Sequence, residues 1–187
     1  MPASAAGKPV IIILAAGKGE RFLASGATTH KLDALLHGKP VLQHVLDAVS
    51  ATGLGWHLVR PAGGTNGMGD SIALGVRATS DAAGWLILPG DLPLIRPASL
   101  LRVAQALQDY PIVVPRYQQK QGHPVGFRRD YFAALAALSG DVGAKAIVRA
   151  ARERGDVAEL ALNDTGVVQD VDVAADLGVV EELAIKR

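Results

Sequence analysis

The 187-residue sequence predicts a three-layer α/β fold, a doubly wound and mostly parallel sheet with helices on both faces. Three observations carry this. Short runs of β-branched and aliphatic residues alternate along the chain with segments of helical periodicity. Apolar residues make up 49% of the chain and aromatics only 4%, so the core is mainly Ala, Val, Leu and Ile, as suits helices packed on a buried sheet. The first aliphatic run ends in a glycine-rich bend with basic residues, Ala15-Ala-Gly-Lys-Gly-Glu-Arg21. That is how a buried parallel strand delivers its chain end to an anion.

In order, the first strand is Val10-Ile-Ile-Ile-Leu14. A helix over 41–51 follows, where Val41, Val45 and Val49, with Leu42 and Leu46, recur at i, i+4 spacing. Further strands are predicted at 56–59, 85–88 and 112–114, and weaker ones at 125–127, 158–162 and 167–171. Helical patterns fall at 71–78, 98–109, 131–138, 143–154 and 174–185. Pro97 suits the first position of the third helix. No repeat, low-complexity tract or linker interrupts the chain, so one domain over 1–187 is expected.

Net charge is +1, from 19 basic and 18 acidic residues, which gives no overall field toward nucleic acid or a membrane surface. The absence of cysteine excludes disulfides and thiolate metal sites. The start, Met1-Pro-Ala-Ser-Ala-Ala-Gly-Lys8, is small and polar, and the apolar run over 10–16 is too short for a membrane span. A cytoplasmic protein is expected.

In open α/β sheets, ligands bind at the carboxyl ends of the strands. Three marked loops fall there: 15–31, 89–96 and Gly67-Met-Gly69-Asp70-Ser71. The first fits neither familiar phosphate motif. Phe22 stands where a dinucleotide fingerprint needs its third glycine, and no Gly-Lys-Ser/Thr follows the spacer of a P-loop. Asp91, in Pro89-Gly-Asp91-Leu-Pro93, follows an apolar strand, and both a hard-cation ligand and a loop cap fit that position. Asp170 and Asp172 are spaced i, i+2 on the predicted 167–171 strand, which would put both on one face. One of them completing a metal site and Asp172 capping the last helix are both open readings. Asp70 or Ser71 is expected to be a helix N-cap. His123 precedes Pro124, which favours an extended backbone. His30, His37, His44 and His57 show no joint metal spacing.

Leu14-Ala-Ala-Gly-Lys-Gly-Glu-Arg-Phe22 … His30-Lys31-Leu32 … Gly38-Lys-Pro-Val-Leu42 resembles the start of nucleotidyltransferases with the consensus L-A-A-G-x-S-x-R-[FM]-G … K. Gly67-Met-Gly-Asp-Ser71, Gly90-Asp91-Leu-Pro93, Gly122-His-Pro124, Gly140-Asp-Val-Gly-Ala144 and Asp170-Val-Asp172 match in the same order, across nearly the whole chain. The nearest branch resembles the molybdenum cofactor cytidylyltransferases and guanylyltransferases, the MobA-like NTP transferases.

The resemblance implies a Rossmann-like nucleotidyltransferase fold and Mg²⁺-dependent transfer of a nucleoside monophosphate from an NTP to a phosphorylated acceptor, with release of pyrophosphate. The expected nucleotide is CTP and the expected acceptor molybdopterin. Alternatives are guanylyl or other nucleotidyl transfer to a different acceptor, and a non-catalytic nucleotide-binding accessory module. Handover of product to a molybdoenzyme or its chaperone is the expected partnership. By the resemblance, Leu14, Ala15, Ala16, Gly17 and Gly19 border the nucleotide, and Lys18 and Arg21 contact its β and γ phosphates. Lys31 stabilises charge at the reacting phosphates. Asp91 is the main Mg²⁺ ligand, with Asp170 or Asp172. Gly67, Gly69 and Ser71 hold base and ribose, and His123 contacts the acceptor.

The chain departs from the pattern in three places. After Arg60 only Pro61-Ala-Gly-Gly-Thr-Asn66 stands where relatives carry a further βα unit, so one such unit is expected to be missing. Gly19 replaces the consensus serine, and 23–29 lengthens the first loop. The Ala15-Ala16-Gly17 form resembles the cytidylyl branch, where an added methyl narrows the pocket against a purine.

Overall fold

The computed structural model describes residues 7–27 and 29–186. The small, polar start over 1–6 and Thr28 of the lengthened loop lie outside the described residues. In chain order the elements are β1 (Pro9–Leu14), α1 (Glu20–Ala24), β2 (Leu35–Leu36), β3 (Lys39–Pro40), α2 (Val41–Ser50), β4 (Trp56–Val59), α3 (Met68–Ala78), β5 (Gly84–Pro89), α4 (Pro97–Ala106), β6 (Ile112–Tyr117), β7 (Lys120–Gln121), β8 (Val125–Arg128), α5 (Phe132–Ala136), α6 (Lys145–Glu153), β9 (Val157–Ala161) and α7 (Ala175–Ile185). Two 3₁₀ turns, Arg129–Tyr131 and Thr165–Val167, join them.

The main sheet runs β4-β1-β5-β8-β6, with β9 on the far side of β6 and β7 continuing the β8 side. β1 is parallel to β4 and β5, and β6 is parallel to β9. β8 is antiparallel to both β5 and β6, so β4, β1, β5, β6 and β9 share one direction. A doubly wound, mostly parallel sheet is the expected class.

The four consecutive β-branched residues of β1 sort the two cores by alternation. Ile11 and Ile13 pack with α2, α4 and Val180 of α7, while Val10 and Ile12 pack with α3, α5 and α6. All four are fully buried. This strand is therefore buried on both faces, the condition that favours an unbroken aliphatic run over an alternating one.

The chain passes from β4 to α3 through 60–67 without a strand or helix. β4 is consequently the last strand on its side, paired with β1 alone among the described residues.

The predicted strand at 167–171 does not form. Val167 closes a 3₁₀ turn whose N–H groups are met by Asp164, and Gly166 lies against the Leu94 backbone so closely that a Cβ there would come 2.2 Å from the Leu94 oxygen. The Val171 N–H donates to the Asp91 carbonyl at 3.0 Å. Val167 and Val171 are fully buried as plugs against the 91–96 loop, which explains a β-like sequence without a ladder. Asp170 and Asp172 are therefore not placed on one face by strand alternation.

No helix among the described residues is long and apolar enough to cross a membrane.

Candidate active site

The 14–31 loop leaves the carboxyl end of β1 and borders a cavity of about 660 Å³. Leu14, Ala16, Gly17, Lys18, Gly19, Arg21, Lys31, Gly67, Ser71 and Asp172 all line it. Ala15 does not. It is buried in the core beside Gly90, its N–H donating to the Val59 carbonyl at 3.0 Å. Gly90 N–H donates to the Leu14 carbonyl at 2.8 Å, and a Cβ on Gly90 would approach that oxygen to 3.0 Å. The glycine thus lets the loop after β5 close on the loop after β1, which brings Asp91 against Lys31, a residue that lines the cavity although Asp91 itself does not.

There Lys31 Nζ donates to Asp91 Oδ2 at 2.9 Å, with side chains only 18% and 17% exposed. Arg21 pairs with Asp172 at 3.1 Å, but the arginine is 80% exposed. Solvent-exposed pairs of this kind contribute little, so Arg21 is easily released to an anion. Lys18 is exposed and makes no ion pair among the described residues.

Asp172 does not cap α7. Its own N–H and that of Val173 donate to Asp176 Oδ2 at 2.8 and 2.9 Å, so Asp176 ties down the approach to α7, whose N-cap position is Ala174. Asp170 is the carboxylate that senses Asp91. Burial, then the Asp91 charge, raises its carboxyl above the ordinary aspartate range. Among the described residues no three His, Cys, Asp or Glu side chains gather into a cage. Asp91 and Asp170 line neither cavity, but as two mutually repelling carboxylates they fit a hard divalent cation that takes its remaining oxygens from phosphate and water.

At α3, neither Asp70 nor Ser71 is the N-cap. That position is Gly67, at φ 136° and ψ −177°, a conformation open essentially to glycine alone. The reason is the neighbouring loop. The N–H of Gly69 donates to the Gly140 carbonyl at 2.8 Å, and Asp70 Oδ1 accepts from Gly140 N–H at 2.9 Å. A Cβ on Gly69 would meet the Val142 oxygen at 2.4 Å, so Gly69 serves this docking and does not line the cavity. Ser71 is buried and its hydroxyl pairs with that of Thr65 at 2.6 Å.

The shortened 60–67 segment does not leave the cavity open. Thr65, Asn66 and Gly67 form one wall, and a Cβ on Gly64 would come within 3.1 Å of the Ala16 carbonyl. Sequence reasoning missed Thr65 and Asn66, whose role depends on this fold-back. It also gave Asp141 no role of its own, although Asp141 borders two cavities.

The second cavity, about 610 Å³, shares Leu14, Met68 and Asp141 with the first and runs under β8 to α6. His123 lines it. The His123 N–H donates to the Val167 carbonyl at 2.8 Å, and its peptide bond to Pro124 is cis. Burial lowers the imidazole pKa, opposed by the Asp91 charge, so the neutral ring prevails near pH 7.

Residues 51–157, more than half of the chain, match the MobA-like NTP transferase domain. The chain belongs to this family. The match begins after the 14–31 loop, so the glycine-rich bend lies outside it. This MobA-like chain is 30% identical over 137 residues to the bifunctional protein GlmU of Xylella fastidiosa (strain 9a5c), covering 60% of the chain but only 29% of that protein. Rv0371c from Mycobacterium tuberculosis H37Rv superposes with a TM-score of 0.75 at 26% identity, over 95% of this chain and 100% of that one. A manganese complex of Rv0371c also matches, with a TM-score of 0.69 at 25% identity and the same coverage. A nucleotidyl transferase from Methanothermobacter thermautotroptrophicus shares the fold, with a TM-score of 0.79 at 19% identity over 96% and 99% of the two chains.

One further residue in the MobA-like loop was invisible to motif reading. His30 Nδ1 accepts from Leu32 N–H at 3.2 Å, so Nε2 carries the proton and donates to the Gly17 carbonyl at 2.7 Å. A Cβ on Gly19 would come 3.2 Å from the same ring. His30 therefore braces the bend from beneath. His30→Ala should weaken nucleotide binding roughly tenfold, the loss of one or two neutral hydrogen bonds, with little change in Tm. Titration with CTP and metal checks this, and an unchanged Kd removes the role.

Proposed function

We propose that this chain is a divalent-metal-dependent nucleotidyltransferase that joins CMP from CTP to molybdopterin, or to an acceptor of the same phosphorylated class. The observation that carries this reading is the Lys31–Asp91 pair, whose lysine lines the first cavity together with the glycine-rich bend. An oxygen of the acceptor phosphate attacks the α-phosphorus. The new P–O bond forms as the bond to the β-phosphate oxygen breaks, and pyrophosphate departs with that electron pair.

A phosphate nucleophile is already ionised near neutral pH, so no general base is needed. The chain's work is positioning and charge screening. Gly17 and Gly19 let the backbone approach the triphosphate, and Lys18 and Arg21 meet its outer phosphates. Lys31 turns from Asp91 to the charge building around the α-phosphorus. Asp91 and Asp170 would hold the metal, which would supply charge neutralisation to the triphosphate. The methyl of Ala16, a cavity-lining residue only 9% exposed, favours a pyrimidine over a purine.

A thermal-shift panel of CTP, GTP, ATP and UTP, with and without Mg²⁺ or Mn²⁺, tests the reading. At about 100-fold over Kd, binding adds about 2.7 kcal/mol. For a chain of this size that is a rise of about 5–10 °C. A metal-dependent shift specific to CTP is expected. A GTP-specific shift overturns the cytidylyl assignment, and no shift with any nucleotide overturns the transferase reading.

A further inference from the structure

The second cavity has chemistry that transfer to a simple monophosphate would not require. Its walls are apolar, with Ile72, Ile87, Val125 and Phe127, but α6 closes its far side with cations. Lys145, Arg149 and Arg152 all line it. Arg152 is already engaged: it donates to Glu159 at 3.1 Å and to Gln121 at 2.9 Å, bracing α6 against the sheet. Lys145 and Arg149 are exposed and have no carboxylate partner among the described residues.

The position of Lys145 is the more telling. It is the first residue of α6, and that first turn carries no acidic residue. A cation there opposes the helix dipole and costs stability, whereas an anion is favoured by both the free N–H groups and the lysine. A second observation points into the same cavity. The Nδ1 atom of His123 is buried with no hydrogen-bond partner among the described residues. An unpaired buried polar atom is costly unless a ligand satisfies it. A charged helix face is usually just a solvated face, but these cations border a cavity whose floor holds that unpaired atom.

We infer that this cavity is an acceptor site selecting molecules with a second anionic group, held by Lys145 and Arg149, at the far end of an apolar body from the reacting phosphate. The inference rests on the transferase reading. His123 offers Nδ1 to a polar atom along the body, and the apolar walls exclude water from it. Lys145 is thus retained at a cost to the empty protein because it pays in substrate selection.

The test uses linear alkane bisphosphates against alkyl monophosphates of matching length, titrated calorimetrically into the full chain with Mg²⁺ and the α,β-methylene analogue of CTP, whose α–β link cannot be cleaved, so that no turnover occurs. A bisphosphate of the right length should bind about tenfold or more tighter than its monophosphate. In the Lys145→Ala/Arg149→Ala double variant that advantage should vanish, with monophosphate affinity and the metal-CTP thermal shift unchanged. Lys145→Glu should likewise abolish the preference but raise Tm of the unliganded protein, a gain that a purely structural lysine would not give. Equal affinities for the two ligand classes in the wild type, with normal metal-CTP binding, overturn the acceptor inference alone. Loss of nucleotide binding as well removes the transferase reading beneath it.

Discussion

Asp91→Asn is expected to lower kcat/KM by about 10³-fold, roughly 4 kcal/mol of transition-state stabilisation, while the fold persists. Asparagine keeps the shape and one oxygen of aspartate but loses the charge that a hard cation requires. It also strips Lys31 of its counter-charge at a site less than one-fifth exposed. Breaking such a partly buried pair costs about 1–3 kcal/mol, between the exposed and fully buried limits. Tm should therefore fall by several degrees, far less than the catalytic loss. Pyrophosphate release measured beside thermal melting separates the two effects. Turnover within about threefold of wild type would show that Asp91 is only a loop residue. The companion variant Lys31→Met should cost a similar factor in turnover but leave a carboxylate able to hold metal, so the two residues are distinguished by metal titration.

Gly67→Ala should have the largest structural effect of any single methyl added at the site. The position lies at φ 136°, and its new Cβ would stand 2.3 Å from Asp141 Oδ1 and 2.6 Å from the Gly140 carbonyl carbon. Neither the conformation nor the backbone contact can be relieved by a rotamer change. The strained backbone alone costs about 1–3 kcal/mol, and the 139–143 loop must lift off α3 in addition. Gly67, Met68 and Asp141 line the first cavity, and Met68 and Asp141 line the second as well. The variant is therefore expected to lose nucleotide and acceptor binding together, with Tm lowered by roughly 5–10 °C. Hydrogen exchange should locate the change in 67–71 and 139–143. Native Tm and native nucleotide affinity in this variant would disprove the docking role.

The parts of the fold governed by local patterning were legible in the sequence. The aliphatic runs at 10–14, 56–59 and 85–88, the i, i+4 valines of α2 and Pro97 at the first turn of α4 each state their conformation within a few residues. The glycine-rich bend was legible for the same reason. Where the reading failed, a distant partner decides. Val167 and Val171 look like strand residues because buried plugs and strands use the same side chains, and only the nearness of Leu94 and Asp91 tells them apart. Asp172 looks like a cap until Arg21, far away in sequence, claims its carboxylate and Asp176 takes the N–H groups. His30 has no motif value, yet the ring spans Gly17 and Leu32 once the loop closes. Lys145 left a local trace, a cation in the first turn of a helix against the dipole, which a charge-pattern reading should have weighed.

The direct passage from β4 to α3 has a consequence for how this protein behaves among copies of itself. The outermost strand of a sheet is a border whose unpaired N–H and C=O groups can template another chain. Here that border is β4, only four residues and roughly 13 Å long. Arg60 brings a charge directly after it, and Pro61 then offers no N–H to carry a ladder onward. The sheet thus ends on a stub too brief to seed a growing stack of strands.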